Sequence, residues 1–256
     1  MDSSSIQAYA TAARVAAYDA DMDLMHPNRH KMVEVMIAVL AASGLEPRAV
    51  VDLGTGTGFL LERLLRRFPS CRAIAIDGSQ EMMATAKSRL GTLAERVEFR
   101  SGDFRLPEAF GVEIHSADAV VSAYALHHLN LEEKARTIGY CRRLLKENGW
   151  FLNADLVREE DEFLERLTQD MRVSGIVARS QGRDTRFRNA ADTRRFLEDL
   201  QRNECDQPQK EADDLRVMRE CGYSHVTLFW KETREVVYGG IRPAGADAGQ
   251  VTGAAR

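Results

Sequence analysis

Short apolar runs rich in β-branched residues alternate along this chain with longer segments of helical period. Runs of the first kind fall at 49–53, 72–77, 97–101, 117–122 and 150–154. Those at 49–53 and 117–122 are almost wholly apolar, which suits a strand covered on both faces. Segments of the second kind lie between them at 59–68, 79–90 and 131–145. In the last of these Ile138, Cys141, Leu144 and Leu145 form an inward stripe, and the basic residues are expected to face outward. The alternation predicts an α/β fold, doubly wound around a mostly parallel sheet.

The flanks complete this outline. Ser3 to Ser5 are expected to cap a helix running from Ile6 to about Tyr18, followed by a connecting segment, Asp19 to Asn28. A second helix, Arg29 to Ser43, carries Met32, Val33, Met36, Ile37 and Leu40 at helical spacing and ends at Gly44. After the fifth strand, residues 158–210 break the βα rhythm with charged, mostly helical sequence. A helix over 210–221 and two strands, Tyr223 to Lys231 and Glu235 to Ile241, follow. The expected organisation is N-terminal helices over 1–44, a core over 45–157, a helical insertion over 158–210, a helix and β-hairpin over 211–241, and a disordered Ala/Gly-rich tail over 242–256.

Between the first strand and its helix stands Asp52-Leu53-Gly54-Thr55-Gly56-Thr57-Gly58-Phe59. Glycines at alternate positions let the backbone turn sharply and approach a ligand, and the following helix points its free N–H groups at that turn. A dinucleotide site has G-x-G-x-x-G, but Phe59 stands where its last glycine would be. A plain tight βα turn is the simpler alternative. Asp77, the last residue of the second strand, lies about twenty residues beyond the turn, where a carboxylate can accept both ribose hydroxyl hydrogens. Its other reading is an N-cap, a role open also to Ser79.

With Asp52 two positions before its first glycine, the turn resembles motif I of the class I S-adenosylmethionine (SAM) dependent methyltransferases. The resemblance covers residues 45–155 and, more weakly, 210–241. It implies a seven-stranded Rossmann-like sheet whose last strand inserts antiparallel, with SAM as cofactor. Asp52 is then expected near the methionine end, with Gly54, Thr55, Gly56, Gly58, Gly78, Ser122 and Ala123 around the cofactor. Asp103 would accept from the adenine amino group while the Phe104 amide bonds the ring; an Asx-turn is the alternative for Asp103. Met82 would lie against adenine or pack within its helix. Lys146-Glu147-Asn148-Gly149-Trp150 is similar to the family's turn into strand five, and Asn148 tolerates the positive φ it needs.

The acceptor is less legible. The stretch Ser122-Ala123-Tyr124-Ala125-Leu126-His127-His128-Leu129 lacks the proline-containing segment of methyltransferases acting on base or amide nitrogens, and looks like the small-molecule branch. His127, His128 and His26 are the candidate general bases, with core or capping roles as the alternative. The N-terminal helices commonly cover the cleft in this family, which brings Tyr18, His26, Arg29 and His30 into view as residues facing a substrate, alongside Tyr124. From Arg172 to Arg195 every basic residue is arginine. That run, with Arg186 and Arg188 as the chosen pair, suits an acceptor bearing carboxylate, phosphate or phosphonate, or else is a solvated helix face.

Composition narrows the classes. Lys and Arg number 35 against 39 Asp and Glu, a net charge of -4 that disfavours a general nucleic-acid binder. The four cysteines, Cys71, Cys141, Cys205 and Cys221, are scattered, so neither a disulfide framework nor a metal site is expected. There is no bilayer-length apolar run and no signal-peptide core, so the expected place is the cytoplasm, away from membranes, with a homodimer left open. The expected reaction is in-line methyl transfer from SAM to a small-molecule acceptor. The alternatives are a tRNA-modification enzyme resembling carboxy-SAM synthase, a non-catalytic SAM-fold partner protein and a nicotinamide-dependent oxidoreductase.

Overall fold

The computed structural model of the chain describes residues 5–9, 11–103 and 105–245. Its strands are β1 (Ala49–Leu53), β2 (Arg72–Asp77), β3 (Val97–Ser101), β4 (Ala117–Ala123), β5 (Leu145–Leu156), β6 (Ser224–Glu232) and β7 (Glu235–Ile241). They form one seven-stranded sheet in the order β3-β2-β1-β4-β5-β7-β6. Strands β1 to β5 pair in parallel, and β7 runs antiparallel to both β5 and β6.

Side chains alternate between two cores, as the pleat requires. Val50, Ala73, Ala119, Val121 and Leu152 pack on one face, against α3 (Arg29–Ala42) and α4 (Phe59–Arg67). Val51, Leu53, Ile76, Val120 and Phe151 pack on the other, against α6 (Leu131–Leu144) and α9 (Glu211–Glu220). The helix after β2, α5 (Gln80–Leu90), is capped by Ser79, whose hydroxyl accepts from the Met82 amide at 3.1 Å. The doubly wound sheet is therefore present, with β1, β2 and β3 at their expected bounds, β4 one residue longer and β5 extended at both ends.

Several local expectations are corrected. The N-terminal helix does not stop near Tyr18: a short α1 (Ser5–Ala8) is followed by α2 (Ala12–Met25), capped by Thr11 and ending at His26. The segment read as a connection is thus helical, because Met22 and Met25 continue its buried stripe. Ser3 and Ser4 lie outside the described residues. The turn at 146–149 lies inside β5 as a wide irregularity, since Ala117 pairs Leu145 while Ala119 pairs Trp150; Asn148 takes φ 61°. Lys134 breaks the rule that basic residues of α6 face outward: it is fully buried. Arg242, placed in the disordered tail, is buried and donates to the Leu145 carbonyl, and residues 246–256 lie outside the described residues.

The insertion consists of α7 (Glu162–Ser180) and α8 (Ala190–Glu204), with a small core of its own in which Val173, Ile176, Phe187 and Leu197 meet Met25 of α2. Among the described residues, no helix is long and apolar enough to cross a membrane.

Candidate active site

The order of the sheet reverses between β1 and β4, and ligands in such folds bind beyond the C-terminal ends of the strands at that point. The glycine turn lies there. Gly54, Gly56 and Gly58 all have positive φ, at 68°, 53° and 79°. The Gly54 amide donates to the Ile76 carbonyl at 2.8 Å, which draws the turn onto the end of β2. Asp77 then braces it: one carboxylate oxygen accepts from the Gly56 amide and the other from the Ser79 amide, both at 2.8 Å. Two adjoining cavities open over this floor. One is lined by Asp52, Gly54, Thr55, Gly56, Ala123, Tyr124, Tyr18 and Arg29, among others, and the second by Asp77, Gly78, Met82, Tyr9, Tyr18 and Ile6, among others. Gly78 packs against Ile6: a Cβ there would meet its side chain at 2.5 Å.

A third cavity, of about 180 Å³, lies beside them between α2, α7 and the start of β7. Its lining includes His26, Asn28, Arg172, Arg179, Arg234 and Glu235. Glu235 gathers three donors: Tyr124 Oη at 2.7 Å, Asn28 Nδ2 at 2.9 Å and His26 Nδ1 at 3.2 Å. Burial opposes its charge, yet these contacts hold the carboxyl below its ordinary range. Burial lowers His26 despite Glu235. A neutral ring that donates from Nδ1 keeps its lone pair on Nε2. Tyr124 joins the compartments, lining both cavities of the cleft and bonding Glu235 of the third. It holds φ 52°, a strained value for an aromatic residue and one that turns the chain sharply at the tip of β4.

Comparison with known proteins agrees with this geometry. Residues 50–149 match the family model described as "Methyltransferase domain". The malonyl-[acyl-carrier protein] O-methyltransferase of Geobacter sulfurreducens is 32% identical over 132 residues, 52% of this chain and 47% of that protein. Over residues 50–149 the chain carries a methyltransferase domain of the class I SAM-dependent kind. An O-methyltransferase family protein from Burkholderia thailandensis shares the fold at TM-score 0.63 and 21% identity, over 93% of this chain and 64% of that one. Human N-acetylserotonin methyltransferase, solved with SAM, does so at TM-score 0.60 and 18% identity, over 92% and 57%. The chain spans about half the length of the curated relatives it matches.

The residues of this methyltransferase core fit SAM, the family's cofactor. The cleft offers a backbone floor without side chains at Gly54 and Gly56, a carboxylate at each of two strand ends, and Met82 and Tyr18 as apolar walls. Phe59 replaces the dinucleotide glycine with a buried ring that stacks under the guanidinium groups of Arg29 and Arg63, 3.7 and 3.6 Å from its centroid. Burial pushes Asp52 up to about 7, against the pull of the Thr55 hydroxyl at 2.9 Å and with a further push from Asp77. Its folded value lies above the ordinary 3.8, so its contribution to stability is present below that pH and lost as pH rises through about 7. A cationic ligand beside Asp52 favours the ionised form. SAM affinity is therefore expected to rise between about pH 6 and pH 8, by up to about tenfold for each unit that the ligand lowers the Asp52 pKa. Calorimetry across that range tests it, and an equal rise in Asp52→Asn would refute the role of Asp52.

Other expected cofactor contacts are relocated. Ser122 is fully buried and spends its hydroxyl on the Leu53 carbonyl at 2.9 Å, so it joins β1 to β4 instead of lining the cleft. Gly58 serves packing: a Cβ there would lie 3.1 Å from that of Ala86, where α4 approaches α5. Asp103 lies outside the lining of the cavities, its carboxylate clasped by Arg105 at 2.6 to 3.1 Å. Phe104 lies outside the described residues.

The substrate candidates divide in the same way. Arg29 is buried and bonds Asp19 at 2.7 Å, facing the cleft with Tyr18, while His30 is exposed. Arg186 is tied to Asp21 and Asp184, each at 2.6 Å, and Arg188 is exposed; neither lines the third cavity. The arginines that do are Arg172 and Arg179 of α7 and Arg234 before β7. His127 is removed as a base. Burial opposes its proton, but Asp155 at 2.6 Å and Asp206 at 3.5 Å outweigh burial and raise it to about 10. His128 lines the cleft next to Tyr9 instead of the third cavity. Sequence reasoning overlooked Glu235, Arg234, Asp155 and Asp206. The one available signal was an acidic residue opening a strand whose other residues are all apolar or glycine.

Proposed function

We propose that this protein transfers the methyl group of SAM to a small acceptor carrying an anionic group, and that the acceptor occupies the cavity between α7 and β7. The observation that carries the reading is Arg172. It lines that cavity with no hydrogen bond or ion pair among the described residues, and burial together with the charge of Arg234 lowers it to about 10. A half-buried guanidinium held beside a second one is a strained arrangement that an anion relieves, and the planar fork suits a carboxylate. The relative from Geobacter sulfurreducens is named for a malonyl group, which bears such a carboxylate. The other arginines of the insertion are largely spent on neighbouring acids, Arg194 on Asp170 and Arg195 on Asp192, which leaves little surface for tracking a nucleic-acid backbone.

SAM, when bound, supplies a methyl group on a sulfonium that is already a good leaving group. The chain's own work is then to align and dry the acceptor, and alignment alone can contribute up to about 7–11 kcal/mol. Arg172, Arg179 and Arg234 hold the anion. Tyr124 stands between cleft and cavity and fixes the approach. His26, oriented by Glu235 through Nδ1, has Nε2 available to take a proton from an acceptor hydroxyl. An acceptor that is already ionised needs no such step.

Labelled-SAM transfer to hydroxy acids, phenolic acids and dicarboxylates, each paired with its amide, tests this directly. Acids are expected to be methylated and amides not. Arg172→Ala is expected to raise KM for the acid about 10- to 100-fold, the loss of one charge-assisted contact, with SAM affinity unchanged. Turnover of amides as good as that of acids would overturn the anionic reading.

A further inference from the structure

At the edge of the cofactor cleft, one cluster among the described residues gathers the side chains that transition metals prefer. We propose that His127 Nε2, His128 Nδ1 and Asp206 Oδ1 form a site for a single divalent transition cation, with zinc as the best match. The three atoms lie within 4.8 Å of one another. Asp206 Oδ1 stands 3.0 Å from His128 Nδ1 and 3.5 Å from His127 Nε2. Donors about 2.1 Å from a tetrahedral zinc are about 3.4 Å apart; the two contacts to Asp206 already lie near that spacing, and the ring nitrogens, within 4.8 Å of each other, close to it by side-chain rotation. Two imidazoles and one carboxylate are a borderline donor set that favours zinc over calcium or magnesium.

Three further observations separate this cluster from an ordinary ion pair. His128 Nδ1 and Asp206 Oδ1 are both buried without a hydrogen bond in acceptable alignment, although they touch. A plain ion pair of this kind normally aligns a proton between the two atoms. Asp155 accepts from His127 Nδ1 at 2.6 Å, which turns Nε2 toward Asp206; a carboxylate behind the far nitrogen of a histidine is the usual support of a metal ligand. The backbone also holds the pieces in register: the Gln207 amide donates to the His127 carbonyl at 2.7 Å, and its side chain donates to the His128 carbonyl at 3.3 Å.

The placement gives the ion a purpose. Asp206 follows α8, at the end of the insertion, while His127 and His128 sit between β4 and α6 and His128 lines the cofactor cleft. One ion would clamp the insertion to the floor of that cleft. Three protein ligands leave a fourth position for water.

The test uses the full chain without an affinity tag, stripped by chelator and titrated with zinc against a chromophoric competitor. One equivalent is expected to bind at micromolar zinc. Cobalt in its place is expected to give visible bands of a tetrahedral nitrogen and oxygen site, without thiolate charge transfer. His128→Gln and Asp206→Asn, checked for folding by circular dichroism, are each expected to lose that equivalent. Asp155→Asn is expected to weaken it about 10- to 100-fold. Cys205→Ser, which removes the neighbouring thiol, is expected to keep it. Failure of the folded wild-type chain to bind one equivalent would overturn the proposal, as would thiolate bands with cobalt or full retention by either folded ligand variant. The cluster would then be an imidazolium between carboxylates and nothing more.

Discussion

Lys134→Met is expected to destabilise the protein by about 3–5 kcal/mol, because it strands a buried carboxylate. Lys134 and Asp214 are both inaccessible to water, and the ammonium lies 2.8 and 3.1 Å from the two carboxylate oxygens. Asp214 also accepts from Tyr238 Oη at 3.2 Å, and that hydroxyl accepts from Asn153 Nδ2 at 2.8 Å. Asn153 reaches on to Asp155 at 3.1 Å, and Asp155 to His127. This polar chain joins α9 and α6 to the tips of β4 and β5, so a fault at Lys134 is felt along a path that ends at the cleft. For a chain of this size the melting temperature is expected to fall by about 6–20 °C. The pair itself need not stabilise, since two charges were desolvated to make it. Lys134→Met combined with Asp214→Leu is therefore expected to recover most of the loss. Thermal melts of the single and double variants decide the matter: if both fall equally, the stranded charge is not the cause.

Lys134 also shows where the sequence stops being readable. Strands β1, β2 and β4 could be located because a strand covered on both faces needs nearly continuous apolar residues; β3, at the edge of the sheet, is half-exposed and carries Glu98 and Arg100. Asp52, Gly54, Gly56 and Asp77 could be located because the turn and the strand ends fix their places by local geometry. The charged side chains are different. A lysine on an amphipathic helix is indistinguishable from its exposed neighbours until a carboxylate eighty residues away is found opposite it. Glu235, Tyr124 and His26 meet across 209 and 111 positions of the chain for the same reason. The charge pattern points to Arg186 and Arg188 as readily as to Arg172, and pattern does not reveal which arginine already has an acid beside it. Gly58 and Ser122 mislead in a quieter way. Each belongs to a motif that surrounds a ligand, yet one makes room for a helix and the other closes a gap between strands.

The strongest test of the cofactor cleft is Asp77→Ala. The carboxylate holds the Gly56 and Ser79 amides at 2.8 Å, one on each oxygen, and burial raises its pKa against those two bonds. Each oxygen keeps a second acceptor direction, which suits a pair of vicinal hydroxyls such as those of a ribose. Alanine removes both functions at once. The glycine turn loses its brace from β2, and the ribose loses its acceptors. A hydrogen bond to a charged group is worth about 1.5–3 kcal/mol, so losing two from the ligand predicts a fall in SAM affinity of about 100-fold or more. Asp77→Asn halves both roles. Its amide oxygen can still accept from one backbone N–H and one ribose hydroxyl, but its NH₂ group meets the second backbone donor and cannot receive it. Asparagine is therefore expected to cost affinity about 10- to 100-fold, less than alanine, the loss of one such hydrogen bond. Calorimetry with SAM and with S-adenosylhomocysteine should show the same loss for both ligands, since the ribose is common to them. If Asp77→Ala binds SAM as tightly as the wild type, the carboxylate at the end of β2 only shapes the turn, and the nucleoside must be held elsewhere.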